Sequence, residues 1–98
     1  MNILAEADRL TEGDRNHVYG HPADDFACTV AMWRAYLLRR FDVDIDLQPE
    51  DFAQMMVLTK VSRLANTPWH VDSLVDEAGY ARTHQMILDR ANADGVEP

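Results

Sequence analysis

Phe26, Val30, Trp33 and Leu37 recur at intervals of four, three and four residues. That rhythm keeps side chains on one side of an α-helix, whereas a strand groups alternate residues. The segment also carries its own start and stop signals. Pro22 suits a first helical turn, where its missing N–H costs nothing. Asp24 and Asp25 follow, where carboxylates favour the positive end of the helix dipole, and Arg39 with Arg40 close the negative end. Whatever this chain folds into must be built around that helix.

Similar spacing predicts the other elements. Ile3, Leu4, Ala7 and Leu10 give a short amphipathic helix over Asn2 to Thr11, ended by Glu12-Gly13-Asp14. Arg15 to His21 has no helical period and reads as an ordered loop before Pro22. Asp42 to Leu47 alternates acid and apolar residues, and reads as a connection tucking Val43, Ile45 and Leu47 against the core. Pro49, with Glu50 and Asp51 behind it, opens another helix on which Phe52, Met55, Met56, Thr59, Arg63 and Leu64 mark the period. Asn66-Thr67-Pro68 ends it. A last helix is expected over Val71 to Asn92, capped by Asp72 or Ser73. Leu74, Ala78, Ala81 and Leu88 form one stripe on it, and Val75, Gly79, Arg82 and Met86 run alongside. The expected fold is all-α: a small helical bundle of three long helices and a short N-terminal helix in a single domain over 1–92, with a frayed tail over 93–98. The apolar faces exceed what one copy of so short a chain covers, so completion by a homo-oligomer is expected.

Ninety-eight residues leave room for one core. A formal charge of −8 opposes binding to a nucleic acid polymer or to anionic lipid, since both depend on Lys and Arg meeting phosphate. A single nucleotide remains compatible with an acidic chain when a metal stands between carboxylates and phosphates. The lone Cys28 cannot pair within the chain and is expected as inert core in a reducing compartment. The first residues lack the basic and apolar regions of a signal peptide, and no apolar run is long enough to span a bilayer. The cytoplasm is therefore expected.

Three groups carry candidate chemistry. Asp72, Asp76 and Tyr80 fall on one helix face, and two carboxylates one turn apart suit a hard cation such as Mg²⁺. Without a ligand, the same aspartates simply favour a helix start. Lys60 and Arg63 lie one turn apart on the preceding helix and suit phosphate oxygens, or equally interhelical salt bridges to Asp72 or Asp76. The short link Leu64–Val71 brings the two groups together if the helices run antiparallel. In the third group, Arg15 suits phosphate, and His17 and Tyr19 suit a base or sugar; as pure structure, Tyr19 would plug the end of the bundle. Other motifs fail. Asp42-x-Asp44-x-Asp46 lacks the Gly and Glu of a calcium loop, the histidines lack zinc spacing, and no Gly-rich phosphate loop occurs. The five Met residues read as core filler, with a partner surface as the alternative for Met55 and Met56 beside Phe52.

Taken together, Arg15 with Tyr19-Gly20, Trp33, Pro49-Glu50-Asp51, Lys60-x-x-Arg63 and Asp72-x-x-x-Asp76-x-x-Gly79-Tyr80-Ala81 resemble a small all-α domain of unknown function common in bacteriophages and their hosts. The pattern spans about residues 5 to 90. That group in turn distantly resembles the MazG-like nucleoside triphosphate pyrophosphohydrolases. This resemblance implies a nucleotide ligand, Mg²⁺ on Asp72 and Asp76, and cleavage between α and β phosphates. Those enzymes carry Glu-x-x-Glu on one helix and Glu-x-x-Asp on the next. Here the second pair has a spacing of four, and Lys60 and Arg63 stand where the first pair belongs. A non-catalytic module that binds a host or phage protein is the rival expectation.

Overall fold

The computed structural model describes residues 1–95, with Asp14 and Arg15 as backbone only. Five helices follow one another: α1 (Ile3–Thr11), α2 (Asp14–Tyr19), α3 (Pro22–Phe41), α4 (Pro49–Asn66) and α5 (Val71–Ala93). No strand occurs among the described residues. The all-α expectation holds, with one helix more than expected. The segment read as a loop is α2, a short helix between Gly13 (φ 57°) and Gly20 (φ 81°). It has too few apolar residues for periodicity to reveal it.

Local chemistry explains the longer elements. The Asn2 side chain caps α1 by accepting from the Ala5 N–H at 3.1 Å. His21 caps α3, its Nδ1 accepting from the Ala23 N–H at 3.0 Å, and Pro22 takes the first turn. Pro49 does the same for α4, where Asp51 accepts the Gln48 N–H at 2.8 Å. α5 departs from expectation. Its N-cap is His70 rather than Asp72 or Ser73, and His70 Nδ1 shares a hydrogen bond with Ser73 Oγ at 2.8 Å. It runs one residue beyond the expected end, to Ala93. Asp94 and Gly95 form a turn, and the rest of the expected tail lies outside the described residues.

α4 and α5 form an antiparallel pair. Ala53 shares a buried cluster with Ile87, Gln54 donates to His84 Nδ1 at 2.9 Å, and Lys60 meets Asp76. α3 crosses this pair through its expected stripe. Phe26 and Val30 are buried, and Trp33 and Leu37 are half-buried. Phe52 sits at the centre of an aromatic group, with ring centroids 4.4 Å from Phe26, 5.3 Å from Trp33 and 6.2 Å from Tyr80. Arg90 Nη1 reaches Asp24 Oδ2 at 2.8 Å and ties the end of α5 to the start of α3. α1 lies antiparallel along α5, with Arg82 Nε 3.5 Å from Asp8 Oδ1 and Thr11 beside Gly79.

Several expected core residues face water instead. Leu4 and Leu10 are exposed, and α1 buries Ala7 and Thr11. Cys28 is exposed rather than inert core. Val43 and Ile45 point outward, because the connection is held from its acidic side: Arg34 Nη2 donates to Asp44 Oδ2 at 2.9 Å. Met32 and Met55 are exposed, so the methionines are not simply filler. On α5 the buried residues are Ser73, Val75, Thr83 and Ile87; Val75 belongs to the second stripe expected there, and the other three belong to neither. The hydroxyls tolerate burial because they bond locally, Thr11 to the Ala7 carbonyl and Thr83 to the Tyr80 carbonyl, both at 2.9 Å. Trp69, at the α4–α5 turn, is 77% exposed. The radius of gyration is 14.7 Å, against about 13 Å for a compact chain of this length.

Candidate functional site

The candidate site grows from one inversion of helix patterning. Lys60 lies seven residues after Ala53, two full turns along α4 and on the same inward face. A position that periodicity assigns to an apolar residue therefore holds an ammonium. Its Nζ lies 3.0 Å from Asp76 Oδ2, with 10% of the Lys60 side chain and 33% of the Asp76 side chain exposed. The aliphatic stem packs in the interface, and the charge is met where α5 passes. Among the described residues, no buried side-chain polar atom lacks a hydrogen-bond partner. Of the alternatives expected for this pair, the interhelical salt bridge is the one present. In this arrangement the Lys60 ammonium is turned to a carboxylate, not to solvent.

The other expected site residues separate from this pair. Arg63 is exposed, and its guanidinium makes no ion pair among the described residues. Asp72 is exposed in the first turn of α5. No three of His, Cys, Asp and Glu gather to cage a metal among the described residues. Among the described residues α2 lies against α1 and α3 and does not approach α4 or α5, which keeps His17 and Tyr19 away from Lys60 and Asp76. Both side chains are exposed, so Tyr19 plugs no bundle end. The Arg15 side chain lies outside the described residues.

A cleft of about 190 Å³ opens between α1 and α5, lined by Leu10, Thr11, Asp76, Gly79, Tyr80 and Thr83 among others. Asp76 therefore faces two ways, towards Lys60 and towards the cleft. Gly79 is the cleft's least economical residue as helix chemistry. A glycine inside a helix costs about 1 kcal/mol against alanine. A Cβ here would meet Thr11 Cγ2 at 3.7 Å, ordinary contact. Packing alone does not demand glycine, and its bare backbone widens the cleft. Sequence reasoning named Asp76 but missed Thr11, Gly79 and Thr83 as its neighbours. The available signal was the spacing of four between Val75, Gly79 and Thr83, small residues that admit α1.

Residues 2–88 match the family described as a domain of unknown function, DUF6378. The Gene 55 protein of Mycobacterium phage D29 is 41% identical over 88 residues, covering 90% of this chain and 54% of that protein. The Gene 55 protein of Mycobacterium phage L5 is 36% identical over 81 residues, covering 83% and 49% respectively. No solved structure matches. The chain spans about half the length of these curated relatives. It belongs to the DUF6378 family, and the relatives named here are phage proteins.

Proposed function

We propose that this phage-type domain works as a protein-contact module that performs no chemistry of its own. One observation carries the reading. From Gln54 to Ser62 the exposed residues of α4 are Gln54, Met55, Leu58, Thr59, Val61 and Ser62, and none is charged. Leu58 is 66% exposed. Across the whole chain 27% of residues are charged, so a charge-free face with Met55, Leu58 and Val61 exposed is a local departure. Depletion of charge with exposed Met and aliphatic side chains is the composition of an interface centre. The net charge of −8 favours a polypeptide partner over nucleic acid, and no described helix is long and apolar enough to cross a membrane.

The test compares two immobilised baits, the wild type and Leu58→Glu/Val61→Glu, exposed to extracts of phage-infected host cells. A host or phage protein retained by the wild type and lost from the variant supports the module. Identical retention by both baits, or none by either, overturns it.

The cleft favours a second reading, in which the domain binds a nucleotide. Asp76 and Tyr80 offer an acceptor and a ring edge there, and Gly79 keeps the wall bare. At about 190 Å³ the cleft suits a sugar or a single ring, and a triphosphate would extend past its rim. Under this reading Asp72 and Asp76 are the donors for Mg²⁺, Lys60, Arg63 and Arg15 meet phosphates, and His17 and Tyr19 approach base or sugar. Two carboxylates, one already joined to Lys60, fit such an ion poorly, so no pyrophosphohydrolase step is derived. Titration calorimetry with several deoxynucleoside triphosphates and Mg²⁺ tests binding. Heat with the wild type that disappears in a folded Gly79→Ala variant supports this reading, and no heat with any nucleotide removes it.

A further inference from the structure

The outward face of α3 has a built-in symmetry. Asp25, Cys28, Met32, Ala35 and Arg39 follow one another at intervals of three, four, three and four, a narrow seam along one side of the helix. All five are exposed, as is the adjoining Tyr36. Met32 is 61% and Tyr36 65% exposed. The ends of the seam are of opposite charge. Neither the Asp25 carboxylate nor the Arg39 guanidinium makes an ion pair among the described residues. Each lies seven residues from Met32, Asp24 and Arg40 each lie eight, and Cys28 and Tyr36 each lie four.

We propose that two copies of this chain associate through α3, packed antiparallel about a two-fold axis at Met32. The occupant of this face is thus a second copy, chosen by charge. Antiparallel pairing about Met32 sets Asp25 against the partner's Arg39 and the partner's Asp25 against Arg39, with Asp24 and Arg40 one step further out. Of these, Asp24 is already paired with Arg90 of its own chain, so the charge argument rests on Asp25 and Arg39. It also sets Cys28 against the partner's Tyr36, a small side chain against a large one, and opposes the two helix dipoles. A two-fold interface must be complementary to itself, and this holds for Asp25 with Arg39, Cys28 with Tyr36 and Met32 with itself. Parallel packing would place Asp25 on Asp25 and Arg39 on Arg39. The seam from Asp25 to Arg39 is about 21 Å long at 1.5 Å per residue. The surface is separate from the α4 face proposed above, so either assignment can fail alone.

Sedimentation equilibrium on the full chain reads the proposal. The wild type is expected at twice the 11.2 kDa chain mass. Met32→Glu is expected as a folded monomer, since the residue is exposed and its helix is held from the opposite side. Arg39→Glu is expected to weaken association roughly tenfold by opposing like charges, and Asp25→Arg/Arg39→Glu to restore it. Oxidative cross-linking fixes the orientation. Met32→Cys in a Cys28→Ser background is expected to form a linked dimer. Cys28 in the wild type is expected not to, because the two copies of Cys28 would lie about 12 Å apart along the axis, beyond disulfide reach. A wild type that stays monomeric at millimolar concentration overturns the proposal. So does a dimer indifferent to Met32→Glu, a charge swap that fails to restore association, or rapid cross-linking through Cys28.

Discussion

The two faces of α4 invert the ordinary rule of helix burial. The inward face carries Phe52, Ala53 and a nearly buried Lys60. The outward face carries Met55, Leu58 and Val61. Inward, a charge is tolerated because one carboxylate meets it and methylene groups line its path. Outward, apolar area remains in contact with water at a cost of about 25 cal/mol per Å². The inner face is thus complete within the chain, and the outer one gains only when something else arrives. Stability and partner binding should accordingly respond to different halves of the same helix.

The largest test of that division is Asp76→Asn. It leaves the Lys60 ammonium inside the α4–α5 interface without its countercharge, and about 2–4 kcal/mol of stability should be lost in urea denaturation. A loss below about 0.5 kcal/mol would show that Lys60 simply swings out to water. Next comes Ala53→Leu. Ala53 is fully buried beside Phe26 and Ile87, and the larger side chain should cost about 1–3 kcal/mol by overpacking. On the outer face, Leu58→Glu should change unfolding free energy by no more than about 0.5 kcal/mol while removing partner capture. A large stability loss there would mean that the outer face is core after all.

The smallest effect is set by acid. Arg34 holds the Asp44 carboxyl below its ordinary value of 3.8, and Arg90 does the same for Asp24, in each case chiefly through a hydrogen bond. A lowered folded-state value stabilises fully above the ordinary value and is lost as pH falls through the folded one. The stability difference between wild type and Arg34→Gln should therefore be constant from pH 7 to 5 and shrink below about pH 3.8. A difference that persists at lower pH would locate the effect of Arg34 in packing.

The long helices were legible where local chemistry was decisive. Pro22 and Pro49 set two helix starts because a fixed φ leaves few alternatives. The Phe26–Leu37 stripe placed α3 correctly. What stayed hidden depends on partners distant in the chain. An apolar helix does not announce which side its neighbours will occupy, so Cys28 and Met32 passed for core. No composition rule sends Lys60 inward; only the passage of Asp76 at that level makes the position habitable. α2 escaped notice because six residues between two glycines show no period. In the candidate site, Lys60 and Asp76 were found as a pair because a short link joins their helices. The wall contributed by Thr11 was not, because α1 returns to α5 across most of the chain.

The two tryptophans sit in opposed surroundings, Trp33 against the Phe52 ring and Trp69 at the exposed turn. The molecule therefore carries its own pair of optical reporters. Collisional quenchers such as iodide should extinguish the red-shifted emission of the turn first, leaving a blue component that vanishes only when the aromatic group comes apart. Replacing Trp69 with Phe would leave a single emitter whose colour follows the core alone, free of anything that docks at the turn.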